Sequence, residues 1–116
     1  MKVVYVAGPF RSSTPMGIAR NVRAAEEASL DVWLAGAAAL CPHLNTMNMD
    51  KSAPDEVFLN GTMEFLKRCD AIYLLPTWPQ SVGARAELEY AVAAGIPQFY
   101  DMPALKAWLE EQSHDS

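Results

Sequence analysis

A chain of 116 residues with 51% hydrophobic and 20% charged residues has the composition of one folded domain, and its length leaves no room for a second core. Nine Lys and Arg against fourteen Asp and Glu give a net charge of −5, so no general positive field draws nucleic acid or an anionic membrane surface. Cys41 and Cys69 lack CxxC spacing and read as reduced structural thiols. No apolar run spans a bilayer, and MKVVYVA is too short for a signal peptide, so the chain is expected in the cytoplasm.

In chain order, Lys2 to Ala7 predicts a strand whose lack of alternation suits burial on both faces. After Gly8-Pro9 and a polar stretch, Thr14-Pro15 has the order of an N-cap and N1 residue. An Ala-rich helix is expected from there to Leu34, with Ala24, Ala28, Val32 and Ala35 on its inner face, Leu30 and Trp33 nearby, and Gly36 as its terminator. Ala37 to Cys41 predicts a second strand and Pro42 to Asp50 a polar loop.

A second helix is expected from Pro54-Asp55 to Lys67-Arg68, with Val57, Phe58, Met63 and Leu66 as its apolar positions. Ala71 to Leu75 predicts a third strand, Pro76 to Gly83 a loop, Ala84 to Ala94 a helix capped by Gly95, and Ile96 to Tyr100 a fourth strand. A last helix starts at Asp101-Met102-Pro103, and residues 110–116 are expected to fray. This alternation predicts a doubly wound α/β domain over residues 1–116, flavodoxin- or Rossmann-like. Its mainly parallel sheet has four to five strands and helices on both faces. In such sheets ligands bind beyond the carboxyl ends of the strands, which directs attention to the segments 8–14, 42–50 and 76–83.

Glu87, expected in the first turn of its helix after Gly83, is placed to point over the sheet edge, although a Glu there also suits the helix dipole. Glu89 reads as a solvated partner of Arg85. Asp70, starting a hydrophobic strand, needs a polar partner or solvent, and Tyr5 reads as a core aromatic unless its hydroxyl reaches the loops. Gly8, Arg11, Ser12 and Ser13 precede one helix start and Ser81 and Gly83 another, so two anion-friendly termini adjoin. A capped turn explains the same hydroxyls. His43 and Cys41 lack a third ligand for a metal, and Trp78 is the best candidate to stack on a ring.

YVAGPFR, CPH, CDAIYLLP and SVGARAELEYAVAAGIP together resemble the nucleoside 2-deoxyribosyltransferase superfamily, in particular its small phage and bacterial members and the 2′-deoxynucleoside 5′-phosphate N-hydrolases, over Lys2 to Tyr100. The resemblance implies N-glycosidic chemistry with Glu87 as nucleophile or charge stabiliser, Asp70 beside the base and sugar, and Tyr5 positioning the nucleophile. It further implies His43 beside the base, and Gly8, Arg11, Ser12 or Ser13, and Ser81 around a 5′-phosphate. The transferase branch often carries Asp where Ser81 stands, and a hydroxyl there favours nucleoside monophosphates and hydrolysis.

No metal or organic cofactor is implied, and the expected partner is a small nucleotide or nucleoside. Self-association as a homodimer or larger assembly is also expected, with Trp33, Met47, Met49 and Met63 among the apolar residues available for it. Arg85 and Glu89 depart from the small residues common at their positions. An Arg85–Glu87 ion pair would favour a non-catalytic nucleotide-binding module, and the transferase and the cleavage of an NAD-like dinucleotide are further alternatives.

Overall fold

The computed structural model describes residues 1–46, 48–49 and 51–114, so Met47, the loop end at Asp50, and Asp115 and Ser116 of the expected tail lie outside the described residues. Four strands, β1 (Val3–Ala7), β2 (Ala38–Leu40), β3 (Ala71–Leu74) and β4 (Gln98–Phe99), form one sheet in the order β2-β1-β3-β4. Every neighbouring pair is parallel, with Tyr5 opposite both Leu40 and Ile72. The helices are α1 (Pro15–Leu34), α2 (Pro42–Asn45), α3 (Asp55–Lys67), α4 (Val82–Ala94) and α5 (Met102–His114), with a short 3-10 turn over Trp78–Gln80.

β1 is central, which explains why its sequence does not alternate between apolar and polar residues. Val4 and Val6 face Ala25, Ala28 and Val32 of α1 and Leu105 of α5, whereas Tyr5 and Ala7 face Leu66 of α3 and Ala84 and Ala91 of α4. The doubly wound expectation therefore holds, with four strands and helices on both faces. From β1 the chain passes outward to β2 on one side and then returns across β1 to β3 on the other. The switch point thus lies between the carboxyl ends of β1 and β3.

Local chemistry sets the element ends. Thr14 caps α1 by accepting from the Gly17 amide at 3.0 Å, with Pro15 at the first helical position. Beyond the helix Gly36 holds φ +97, a left-handed conformation that a side chain disfavours. The inner face of α1 is carried by Ala25, Ala28, Ser29 and Val32. Ala24 is exposed, and so are Leu30, Trp33 and Leu34.

Two other expectations shift. Pro42 starts the short helix α2 where a loop is expected, its fixed φ suiting a first helical residue. Ser81 caps α4 by accepting from the Ala84 amide at 3.0 Å, so the helix begins at Val82 and Glu87 falls in its second turn. At the other end of the chain α5 continues through His114. Both cysteines are free and buried.

Candidate active site

A cavity of about 470 Å3 opens at the switch point, bounded by the β1–α1 loop, the start of α2, the first half of α3 and the start of α4. That volume falls within the range of small-molecule sites. Glu87 lines it from α4, and Tyr5, buried under α3 and α4, donates its phenolic hydrogen to Glu87 Oε2. A strand residue and a helix residue 82 positions apart are thereby joined behind the cavity wall.

Burial pushes the Glu87 carboxyl up to about 7, and the hydrogen bond from Tyr5 opposes that rise. Burial pushes the Tyr5 phenol up as well, helped by the Glu87 charge, while the Thr62 side chain pulls it down. The phenol therefore stays protonated and remains a donor to Glu87. With its pKa raised toward neutrality by partial burial, this carboxyl is poorly hydrated, a setting suited to nucleophilic attack or to stabilising a positive centre.

The β1–α1 loop is held from two sides. His43 Nε2 lies 2.9 Å from the Pro9 carbonyl oxygen, which can only accept, so the ring carries its hydrogen on Nε2. Burial pulls this imidazole below its usual value, against carbonyl contacts with Pro9 and Gly8 that raise it. From α1, Asn21 Nδ2 donates to the Phe10 and Arg11 carbonyls at 3.1 and 3.2 Å. Gly8 has no side chain for a steric reason: a Cβ there would stand 2.3 Å from Leu75 Cδ1 and 3.0 Å from Leu75 Cβ. At the cavity mouth Arg11 pairs with Asp55 of α3, Nη2 to Oδ1, at 2.6 Å.

Of the residues singled out in the sequence, Gly8, Arg11, His43, Ser81, Gly83 and Glu87 line the cavity, with Tyr5 behind Glu87. Asp70 does not join them. It precedes β3, at the amino end of the sheet, where its Oδ2 accepts from the Val3 amide at 2.8 Å; a residue that starts a parallel strand lies at the end opposite the site. Ser12 and Ser13 are exposed and do not line the cavity, because Ser12 turns toward the start of α1. Trp78 is also elsewhere, with its ring 6.1 Å from that of Tyr100.

Arg85 Nε donates to the Ser81 carbonyl at 3.4 Å, and among the described residues no ion pair joins Arg85 to Glu87 or Glu89. The site also includes residues that sequence reasoning did not assign to it, above all Phe58, Leu59, Thr62 and Asp55. The helical spacing of 58, 59 and 62 puts them on one face of α3, and only the crossing of α3 over the switch point makes that face a cavity wall. Among the described residues no three His, Cys, Asp or Glu side chains gather as a metal-binding group, and no helix is long and apolar enough to cross a membrane.

Comparison with known proteins adds three findings. The family described as "Domain of unknown function (DUF4406)" matches residues 2–100. A solved 2-deoxyribosyltransferase from the psychrotolerant bacterium Bacillus psychrosaccharolyticus superposes with a TM-score of 0.67, covering 90% of each chain at 14% identity. At that identity the likeness is one of fold alone. No curated protein matches the sequence.

Proposed function

Because the chain belongs to the DUF4406 family and has the fold of a 2-deoxyribosyltransferase, we propose that it makes and breaks N-glycosidic bonds of nucleosides at Glu87. The observation that carries this reading is the partly buried Glu87 carboxyl, held by the Tyr5 hydroxyl at the wall of a cavity of about 470 Å3. Glu87 would attack C1′ as the C–N bond breaks and its electron pair leaves with the base, through an oxocarbenium-like transition state. Release from the enzyme then follows attack on C1′ by a second base, giving transfer, or by water, giving hydrolysis.

Tyr5 orients the carboxylate, and the pinned β1–α1 loop holds the sugar side of the ligand. With Asp70 at the opposite end of the sheet and the His43 Nε2 hydrogen committed to the Pro9 carbonyl, the departing base takes its proton from solvent. These steps require no metal or organic cofactor. Two buried free thiols suit a cytoplasmic enzyme.

Hydrolysis of nucleoside 5′-monophosphates is the second reading. It is favoured by Ser81 and Gly83, which bring the amino end of α4 to the cavity. A purely binding module is disfavoured by Arg85, which turns to the Ser81 carbonyl and leaves Glu87 to Tyr5.

The test is incubation of the wild type and Glu87→Ala with deoxyribonucleosides, ribonucleosides and their 5′-monophosphates, each with and without a second free base, followed by chromatography of products. Transfer predicts a new nucleoside only when the second base is present, and hydrolysis predicts free base without it. Neither product from any pair, with the wild type folded, overturns the enzyme reading.

A further inference from the structure

The Arg11–Asp55 pair has a property that the glycosidic chemistry does not require. Arg11 comes from the β1–α1 loop and Asp55 from the first turn of α3, two elements brought together only by the fold. Both line the cavity, and their charged ends meet at 2.6 Å. The Arg11 backbone is fixed by Asn21, so the guanidinium starts from a set place. Among the described residues Arg11 is the single Lys or Arg lining the cavity, and its charge is already met by Asp55.

An anionic ligand arriving at this mouth competes with Asp55 for the Arg11 charge and meets the Asp55 carboxylate nearby, with Glu87 further inside. An uncharged ligand has neither requirement. We propose that Asp55 is a specificity-determining residue: by occupying Arg11 it makes the cavity discriminate against ligands with a phosphate at the mouth and in favour of uncharged nucleosides. This deepens the nucleoside reading and rests on it. It also assigns Arg11 a latent role as a phosphate receptor, which the removal of one carboxylate exposes.

Side-chain exposures of 65% and 59% make the pair solvent-screened and readily exchanged. An exposed pair of this kind accounts for up to about a fivefold effect, and the loss of repulsion between two anions adds to it. Asp55→Asn keeps the size and hydrogen-bonding capacity at the helix start while removing the charge.

The experiment measures, by calorimetry at fixed ionic strength, the affinity of wild type, Asp55→Asn and Asp55→Asn/Arg11→Ala for three probes: inorganic phosphate, 2′-deoxyadenosine and 2′-deoxyadenosine 5′-monophosphate. Thermal unfolding verifies that each variant is folded. Asp55→Asn is expected to tighten phosphate and monophosphate binding about fivefold or more and to leave deoxyadenosine within twofold, and the added Arg11→Ala is expected to abolish the gain. Unchanged anion affinity, an equal change for the nucleoside, or a gain that survives Arg11→Ala overturns the proposal. Should Asp55→Ser, made as a second uncharged variant, fail to reproduce the gain, the carboxylate is likewise not the cause. If no nucleoside or nucleotide binds any form while inorganic phosphate still follows this pattern, the nucleoside reading fails and the role of Asp55 as competitor for Arg11 stands.

Discussion

Glu87 links activity and stability through one carboxyl group. Its pKa is raised from 4.5 to about 7 in the fold, so between those values the folded state holds a proton that the unfolded chain has released. Its protonated form is thus the better tolerated one, and stability is lost as pH rises through about 7. At about 1.4 kcal/mol per pKa unit the whole effect is bounded at roughly 3.5 kcal/mol. Glu87→Gln is therefore expected to unfold at a higher temperature than wild type at pH 8 and at nearly the same temperature at pH 4, while turnover is lost. If the carboxylate acts ionised, kcat/KM of the wild type rises with pH and levels off above about 7. Tyr5→Phe removes the hydrogen bond that lowers the Glu87 pKa, so the rising limb should move to higher pH; an unmoved limb would assign the titration to another group.

At the scale of elements, the two helices that begin with a capping hydroxyl are legible almost to the residue. Thr14-Pro15 fixes the start of α1, and Gly95, at φ +75, fixes the end of α4. Reading α4 from Ala84 starts it two residues late, and of the two readings of Ser81 the capped turn is realised, its hydroxyl accepting from the Ala84 amide. Ser81→Ala should cost about 1 kcal/mol and lower Tm by about 4 °C, read by thermal unfolding. The short strands are less legible because pairing, and not propensity, ends them. In the 96–100 run Gln98 and Phe99 are in register with β3, and the Pro97 carbonyl accepts from the Ile72 amide at 3.0 Å.

The His43 anchor on the β1–α1 loop gives a pH dependence of opposite sign to that of Glu87. With its pKa lowered by burial, His43 contributes stability above about 6.5 that is lost as pH falls through its folded value. His43→Gln should flatten the acid limb of a stability curve, and an unchanged limb would place that titration elsewhere.

At the scale of the molecule, strand order decides what a motif can do, and strand order is what the sequence does not print. Asp70 and Glu87 are equally prominent along the chain, yet the parallel sheet separates them to opposite ends, while Phe58 and Thr62, ordinary helix residues by pattern, become cavity wall. The same topology leaves β2 as an edge strand beside the carboxyl-terminal half of α1, where Leu30, Trp33 and Leu34 are exposed on one side of the helix by 57%, 53% and 77%. Trp33, Leu40 and Leu44 continue this apolar surface around the edge. An exposed stripe of this kind is what a self-associating domain covers, so the 12.7 kDa chain is expected to run as a dimer of about 25 kDa in light scattering. Trp33→Glu should return it to a monomer without altering the cavity, because Trp33 lies at the opposite sheet edge from α4. A wild type monomeric at high micromolar concentration would leave the stripe without that role.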